Sequence, residues 1–202
     1  MYSRRKVLHN VRHIIFDLDG TLVRIPVPWK QVYNRLSALL GYRVTSIVAL
    51  YAKIWKSNEY DVVSRIVEEY ELSAIDNIEV LDNSPEIIKR LSEKYTLSLV
   101  TLQSTKVMDK ILNKLGISSF FRAKISRNVS PIRYEQILKA VNITNIPTRN
   151  TLVVGDLLND VESAIKAGCL AILIIREEVQ KKEMNGKYMM IRNLEELYSL
   201  LY

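Results

Sequence analysis

Cysteine and long apolar runs are the features that this sequence most clearly lacks. Cys169 is the single cysteine among 202 residues, so no disulfide can form within the chain. No apolar run approaches the ~20 residues of a membrane-spanning helix, and the first residues contain no apolar signal-peptide core. We therefore expect a soluble, cytoplasmic protein without a membrane partner.

Dense basic clusters are also missing, although the chain carries 29 Lys and Arg against 22 Asp and Glu, a net charge of +7. The positive residues form short groups, such as residues 4–6 and 181–182, without an RNA-binding aromatic motif or zinc-ligand spacing. We expect a solvated surface that attracts anionic substrates, rather than a nucleic-acid interface. Phosphorylated ends of nucleic acids stay open as a substrate.

Apolar residues make up 48% of the chain and charged residues 25%, which excludes a disordered protein. Short apolar segments alternate with helical patterns, and several are continuous runs, as in strands buried on both faces. This alternation predicts an α/β fold with a Rossmann-like, mostly parallel sheet core. The predicted strands are Val11–Leu18, Thr96–Leu102, Ala123–Ser126, Thr151–Val154, Ala171–Ile175 and Tyr188–Ile191.

The helices between these strands have recognisable ends. Ser84 is the expected N-cap of the helix that follows Pro85, and Asn193 that of the last helix. Gly116 and Gly168 stand where left-handed C-cap residues belong. The predicted core helices are Glu86–Lys94, Thr105–Leu115, Asn159–Ala167 and Leu194–Leu201.

One interval breaks the alternation, because residues 26–81 contain helical patterns and no convincing strand. Its predicted helices are Trp29–Leu40, Thr45–Trp55 and Tyr60–Glu71. We interpret it as a small all-helical cap domain, 26–81, inserted into a catalytic core formed by 1–25 and 82–202. Helical spacing assigns most of its aromatic residues to the core of the cap rather than to a substrate site.

Acidic residues follow two of the predicted strands. Asp17 and Asp19 come at the end of the first strand, and Asp156 and Asp160 follow Gly155 after the strand that begins at Thr151. Ligands of open α/β sheets bind at the carboxyl ends of the strands, where these acids would meet Thr101 from another strand. A hard cation such as Mg²⁺ would offset their repulsion. A metal beside a free carboxylate is suited to phosphoryl transfer through an aspartyl-phosphate.

The order of these motifs resembles the haloacid dehalogenase superfamily, in particular its phosphoglycolate-phosphatase-like branch. Asp17-Leu18-Asp19-Gly20-Thr21 matches its first motif, Thr101 its second, and Gly155-Asp156-Leu157-Leu158-Asn159-Asp160 its fourth. The resemblance implies Asp17 as the nucleophile and Asp19 as the general acid and base. It also implies Mg²⁺ bound by Asp17, the Asp19 carbonyl and Asp156, with Asp160 in support. The helical interval resembles the mobile cap that selects substrates in this family.

The third motif departs from the family pattern. Ser130 stands where the family has a lysine that binds the phosphoryl group. Arg133 begins the next predicted helix, and its guanidinium can bind phosphate oxygens bidentately. We therefore assign the missing cation to Arg133, ahead of Arg127 and Lys124.

The predicted function is a Mg²⁺-dependent phosphomonoester hydrolase for a small phosphorylated metabolite, such as phosphoglycolate or a sugar phosphate. A phosphomutase would use the same residues and stays open, as does a non-catalytic binding module, which the missing lysine favours and the intact acids oppose. A dehalogenase is less favoured, because halide displacement needs no acid at Asp19. The sequence does not predict the oligomeric state.

Overall fold

The first strand lies in the middle of a six-stranded sheet in the computed structural model, which describes residues 8–176 and 188–202. The basic groups at 4–6 and 181–182 lie outside the described residues. The strands are β1 (His13–Phe16), β2 (Val23–Arg24), β3 (Glu79–Val80), β4 (Thr96–Val100), β5 (Phe121–Ile125), β6 (Thr151–Gly155), β7 (Leu170–Ile174) and β8 (Met189–Ile191). The helices are α1 (Trp29–Leu40), α2 (Ile47–Ile54), α3 (Asn58–Ala74), α4 (Ser84–Ser92), α5 (Thr105–Lys114), α6 (Arg133–Thr144), α7 (Leu158–Lys166) and α8 (Leu194–Leu201).

The large sheet has the order β5-β4-β1-β6-β7-β8, and all of its strand pairs are parallel. Successive side chains of a strand point to opposite faces. Ile14 and Phe16 accordingly belong to one buried cluster, with residues of α4, α5 and α8, whereas Ile15 belongs to another, with residues of α6 and α7. Helices therefore cover both faces, and the predicted α/β fold with a parallel, Rossmann-like sheet is confirmed.

Each predicted strand of the core is present, with ends that differ by one or a few residues. The prediction that residues 26–81 contain no strand is wrong. Glu79–Val80 pairs antiparallel with Val23–Arg24, and together they form a two-stranded ribbon where the chain enters and leaves the helical interval. Two residues per strand are too few for a period-2 pattern to be visible in the sequence.

The predicted helices are present with ends that differ by up to three residues, and the predicted N-cap is confirmed at α8 but not at α4. Asn193 accepts a hydrogen bond from the Glu196 amide at 2.9 Å and so caps α8 as predicted. Ser84, by contrast, is the first residue of α4 rather than its N-cap. Its buried hydroxyl donates to the Leu22 carbonyl at 2.6 Å. The serine therefore ties α4 to the chain that follows the first motif.

Helices α1 to α3 share one apolar cluster with the sheet and with α5. Tyr60 packs against Tyr51 and Trp55, with ring centroids 5.5 and 4.7 Å apart, and Tyr51 is fully buried. Large aromatic side chains bury much apolar area, which is why they hold these short helices together. None of the helices within 8–176 and 188–202 is long and apolar enough to cross a membrane.

Candidate active site

The carboxyl ends of β1 and β6 bring the two acidic motifs together. Asp17 follows β1, and its amide donates to the Val154 carbonyl of β6 at 3.0 Å. Asp156 follows Gly155, and Asp160 lies in the first turn of α7. Gly20 has a φ of +85°, and a Cβ there would collide with the Asp156 carboxylate. The first motif thus needs glycine both for its backbone conformation and for this close approach.

Arg133 lies between the two motifs. Its Nη2 donates to Asp17 Oδ1 at 2.6 Å, and its Nε lies 2.7 Å from Asp160 Oδ1. The arginine side chain is 3% exposed, so these ion pairs are shielded from water. Arg133 is also the first residue of α6, as the sequence predicted.

Gln136, one turn along α6, is a site residue that the sequence did not reveal. Its side-chain carbonyl accepts from Arg133 Nη1 at 2.9 Å, and its Nε2 donates to the Thr101 and Ser130 carbonyls at 2.7 Å each. Gln136 therefore orients Arg133 and fixes it relative to β4. Ser130, at the expected lysine position, binds Glu135 and the Ile132 amide through its hydroxyl and so shapes the start of α6.

A cavity of about 550 Å³ lies between the carboxyl ends of β1 and β6 and helices α1 to α3. Its polar floor includes Asp17, Asp19, Asp156 and Arg133. The opposite wall is mostly apolar and aromatic, with a few hydroxyl groups and one acid. These wall residues are Trp29, Tyr33, Thr45, Ser46, Ile47, Val48, Tyr51, Val67 and Glu71.

Burial raises the pKa values of the floor acids. The pKa of Asp17 lies well above its ordinary value, because burial and the neighbouring acids outweigh the attraction of Arg133. Burial also raises the pKa of Asp19 to about 6, although hydrogen bonds such as that from the Ile25 amide, 2.8 Å from Oδ1, oppose the shift. The pKa of Asp156 rises to about 7 through burial and the nearby Asp160. The protein's own cations therefore do not fully compensate this acidic cluster.

The donor set fits a hard cation such as Mg²⁺. Asp156 Oδ1 is buried and has no hydrogen-bond partner among the described residues, as expected of an oxygen that awaits a ligand. Within that part of the chain, no three acidic, His or Cys side chains converge in a metal-binding arrangement. The metal ligands predicted from the sequence do not require three such side chains. They are the Asp17 and Asp156 carboxylates together with the backbone carbonyl of Asp19. Asp160 is instead occupied by Arg133 and by the Leu157 amide.

Three other predicted or alternative residues lie outside the cavity lining. Thr101 is fully buried, and its hydroxyl donates to Gln103 Oε1, which does line the cavity. Lys124 lies on β5 and donates to the Ser118 hydroxyl at 2.9 Å in an exposed position. Arg127 points into the helical interval rather than toward Asp17. Arg133 is thus the candidate among the three basic residues that contacts the floor acids.

Arg127 joins the helical interval to the core through a buried network. Its Nη1 donates to both Glu71 oxygens, at 2.7 and 2.8 Å, and to the Leu102 carbonyl at 2.8 Å. Its Nε and Nη2 bind the hydroxyl and carbonyl of Ser64. Tyr60 of α3 completes the network by donating to the Arg127 carbonyl at 2.6 Å. Arg127 lies 56 to 67 positions from its partners in α3, which is why no local pattern predicted these contacts.

Comparisons with known proteins agree with this architecture. Residues 14–174 match the haloacid dehalogenase-like hydrolase family. A haloacid dehalogenase-like hydrolase domain-containing protein from Arabidopsis thaliana is 21% identical over 175 residues, covering 81% of this chain and 71% of the relative.

Many solved structures share this fold. A predicted phosphoglycolate phosphatase from Haemophilus somnus superposes with a TM-score of 0.69 at 19% identity, over 96% of this chain and 99% of the other. The magnesium-bound structure of YfnB from Bacillus subtilis gives a TM-score of 0.68 at 17% identity, over 95% and 98%.

The family match covers most of the chain and both acidic motifs. The protein belongs to the haloacid dehalogenase-like hydrolase family. The family, fold and enzyme class predicted from the sequence are therefore confirmed.

Proposed function

We propose that the protein is a Mg²⁺-dependent phosphomonoesterase that hydrolyses a small phosphorylated metabolite through an aspartyl-phosphate at Asp17. The observation that carries the proposal is that Arg133 holds Asp17 Oδ1 at 2.6 Å, while Asp19 and Asp156 line the same cavity. This arrangement supports the proposal, because a carboxylate nucleophile, a general acid and a metal ligand would then act at one point.

Asp17 and Asp19 share the chemical steps. The Asp17 carboxylate attacks phosphorus, and the bond from phosphorus to the alcohol oxygen breaks as Asp19 gives that oxygen its proton. Asp19 then takes a proton from the water that attacks the aspartyl-phosphate, releasing inorganic phosphate and regenerating Asp17. A pKa of about 6 suits Asp19 to both roles, because an acid–base group works best near the operating pH.

The remaining site residues would compensate the negative charge of the acids and of the phosphoryl group. Mg²⁺, when bound by Asp17, Asp156 and the Asp19 carbonyl, would supply positive charge that keeps the acids ionised and offsets the charge of the phosphoryl group. Arg133 would contribute the second cation in place of the usual lysine, and Gln136 and Asp160 would keep its guanidinium in position. Thr101 would act through Gln103, the residue that faces the cavity.

Residues 26–81 would form a separate cap, with 1–25 and 82–202 as the catalytic core. The cap would exclude water and contact the leaving group, and the β2–β3 ribbon would be the joint between the two parts. We place the protein in the cytoplasm, because its one cysteine is buried and unpaired, as is usual in a reducing compartment.

Phosphate release from p-nitrophenyl phosphate and from a panel of metabolite phosphates, with and without Mg²⁺, tests the proposal. We expect hydrolysis that requires Mg²⁺ and is abolished in Asp17→Asn, since an amide cannot attack phosphorus. Circular dichroism of the variant serves as the control for folding. Activity in Asp17→Asn close to that of the unmodified protein would exclude Asp17 as the nucleophile.

A further inference from the structure

The cavity wall contains an acid that the proposed chemistry does not use. Glu71 of α3 lines the cavity opposite the catalytic floor, yet it is only 1% exposed to solvent. A charge so well shielded from water acts strongly on any charged group that enters beside it. Glu71 is therefore positioned to influence the part of the substrate that lies farther from phosphorus.

Arg127, the positively charged partner of Glu71, is not placed to bind an anion in the cavity. Arg127 does not line the cavity, and every hydrogen bond found for its guanidinium goes to Glu71, Ser64 or the Leu102 carbonyl. Of the two charged groups, only the Glu71 carboxylate therefore faces the cavity, and the Arg127 guanidinium faces the protein interior. Glu71 stays ionised beside this permanent cation above its own pKa, which burial raises to about 7 against the opposing effect of Arg127.

The other cations of the cavity are also paired. Within the described part of the chain, the lining contains two arginines, Arg24 and Arg133. Arg133 is held by Asp17 and Asp160 at the phosphoryl position. Arg24 pairs with Glu79 at 2.8 Å on the β2–β3 ribbon, where its side chain is 53% exposed and its charge is screened by water.

We propose that Glu71 determines specificity by excluding a second anionic group from the leaving alcohol, so that the substrates are phosphomonoesters of uncharged or cationic alcohols. This inference rests on the proposed phosphatase function and specifies its substrate class. The apolar wall formed by Trp29, Ile47 and Val67 and the hydroxyls of Thr45 and Ser46 suit an uncharged alcohol. A carboxylate at the same place would face Glu71 with no unpaired cation beside it, and such like-charge contacts oppose binding strongly.

Three esters of matched length test this directly: 2-phosphoglycolate, 2-hydroxyethyl phosphate and 2-aminoethyl phosphate. Their leaving alcohols differ mainly in an anionic, neutral or cationic end. At pH 8 and saturating Mg²⁺, we expect kcat/KM for the hydroxyethyl and aminoethyl esters to exceed that for phosphoglycolate by about 10-fold or more, a modest fraction of what a buried like charge can impose. A preference of the unmodified protein for phosphoglycolate would overturn the proposal. If Arg24→Gln then abolished this preference for phosphoglycolate, Arg24 would be identified as the residue that binds the anionic group.

Glu71→Gln should reduce the preference for the neutral ester by about 5-fold or more, since it removes the repelling charge while keeping the shape. Glu69→Gln is the matched control, because Glu69 lies on the same helix but pairs with Arg35 at an exposed position. An unchanged substrate ratio in Glu71→Gln would overturn the assignment.

Folding and the proposed function are checked separately. If Glu71→Gln does not fold because Arg127 is left unpaired, the double variant Glu71→Gln and Arg127→Gln removes both buried charges, and its substrate ratio is read in the same way. Hydrolysis of p-nitrophenyl phosphate tests the proposed phosphatase function independently of the leaving-group charge. Its absence would refute that function, whereas its presence without discrimination among the three esters would refute only the role of Glu71.

Discussion

Arg133 connects two of the acidic residues on which the proposed chemistry depends. It contacts Asp17 and Asp160 from the first turn of α6, and Gln136 fixes its orientation from the same helix. A guanidinium can hold two acids and still present an N–H group to phosphate, because it has five donors in a fixed plane. Ser130, at the usual lysine position, could offer only a neutral hydrogen bond.

Arg133→Ala should lower kcat by about 10²–10³-fold at saturating Mg²⁺, the range found when one donor to a developing anion is removed. Arg133→Lys should recover part of this loss, because it keeps the charge but not the planar set of donors. Lys124→Ala is the control, since Lys124 is exposed and bonded to Ser118. A severe defect in Lys124→Ala, or a mild one in Arg133→Ala, would contradict the assignment.

At the scale of structural elements, the turn after β1 decides whether the acids can approach one another. Gly20 has a left-handed backbone and lies against the Asp156 carboxylate. Gly41 has a similar φ of +73°, but a Cβ at Gly41 would meet no other atom within 4 Å. A substitution at Gly41 would therefore introduce backbone strain alone, whereas one at Gly20 would introduce the same strain and a collision with Asp156.

We expect Gly41→Ala to cost about 1 kcal/mol of stability, the effect of a left-handed alanine, and to keep its activity. Gly20→Ala should suffer the same strain and also displace Asp156, so that hydrolysis and Mg²⁺ binding are both lost. Isothermal titration with Mg²⁺ and phosphatase assays compare the two variants. Equal behaviour of the two would show that the contact with Asp156 is unimportant.

The elements that the sequence predicted are those defined by local patterns. The continuous apolar run before Asp17 and the glycines after α5 and α7 indicate a strand and two helix ends without knowledge of the rest of the chain. The β2–β3 ribbon and the pair of Arg127 with Glu71 depend on segments more than 50 residues apart, and nothing in either segment alone points to the other. Tertiary contacts of this kind follow only from the assembled fold.

At the scale of the whole molecule, charge in the active site should affect folding stability. The folded-state pKa values of Asp19 and Asp156, about 6 and about 7, exceed their ordinary value of 3.8. The folded protein then binds protons more tightly than the unfolded chain between these values, so these acids make the free energy of unfolding fall as pH rises from about 4 to 7. His13, buried between Ser98 and Thr151, acts in the opposite direction, because burial lowers its pKa to about 4.

Mg²⁺ should therefore raise the unfolding temperature more at pH 8 than at pH 5, because the acids can bind the cation without releasing protons at the higher pH. Thermal unfolding with and without Mg²⁺ at each pH measures the effect, and the contribution of His13 cancels in each difference. Asp156→Asn should remove most of the shift at pH 8. Equal shifts at both pH values, or an unchanged shift in Asp156→Asn, would contradict a metal site formed by these acids.

The proposed hydrolysis requires Asp17 to carry the phosphoryl group during turnover. Rapid acid quenching of a reaction with isotopically labelled aryl phosphate, followed by peptide mapping, detects such an intermediate. Asp19→Asn should accumulate the most label, because an aryl leaving group needs little protonation whereas hydrolysis of the intermediate needs the base. We expect label on the peptide that contains Asp17 and none in Asp17→Asn. Label on another residue, or no label in Asp19→Asn while it releases the aryl alcohol, would contradict the role of Asp17 as nucleophile.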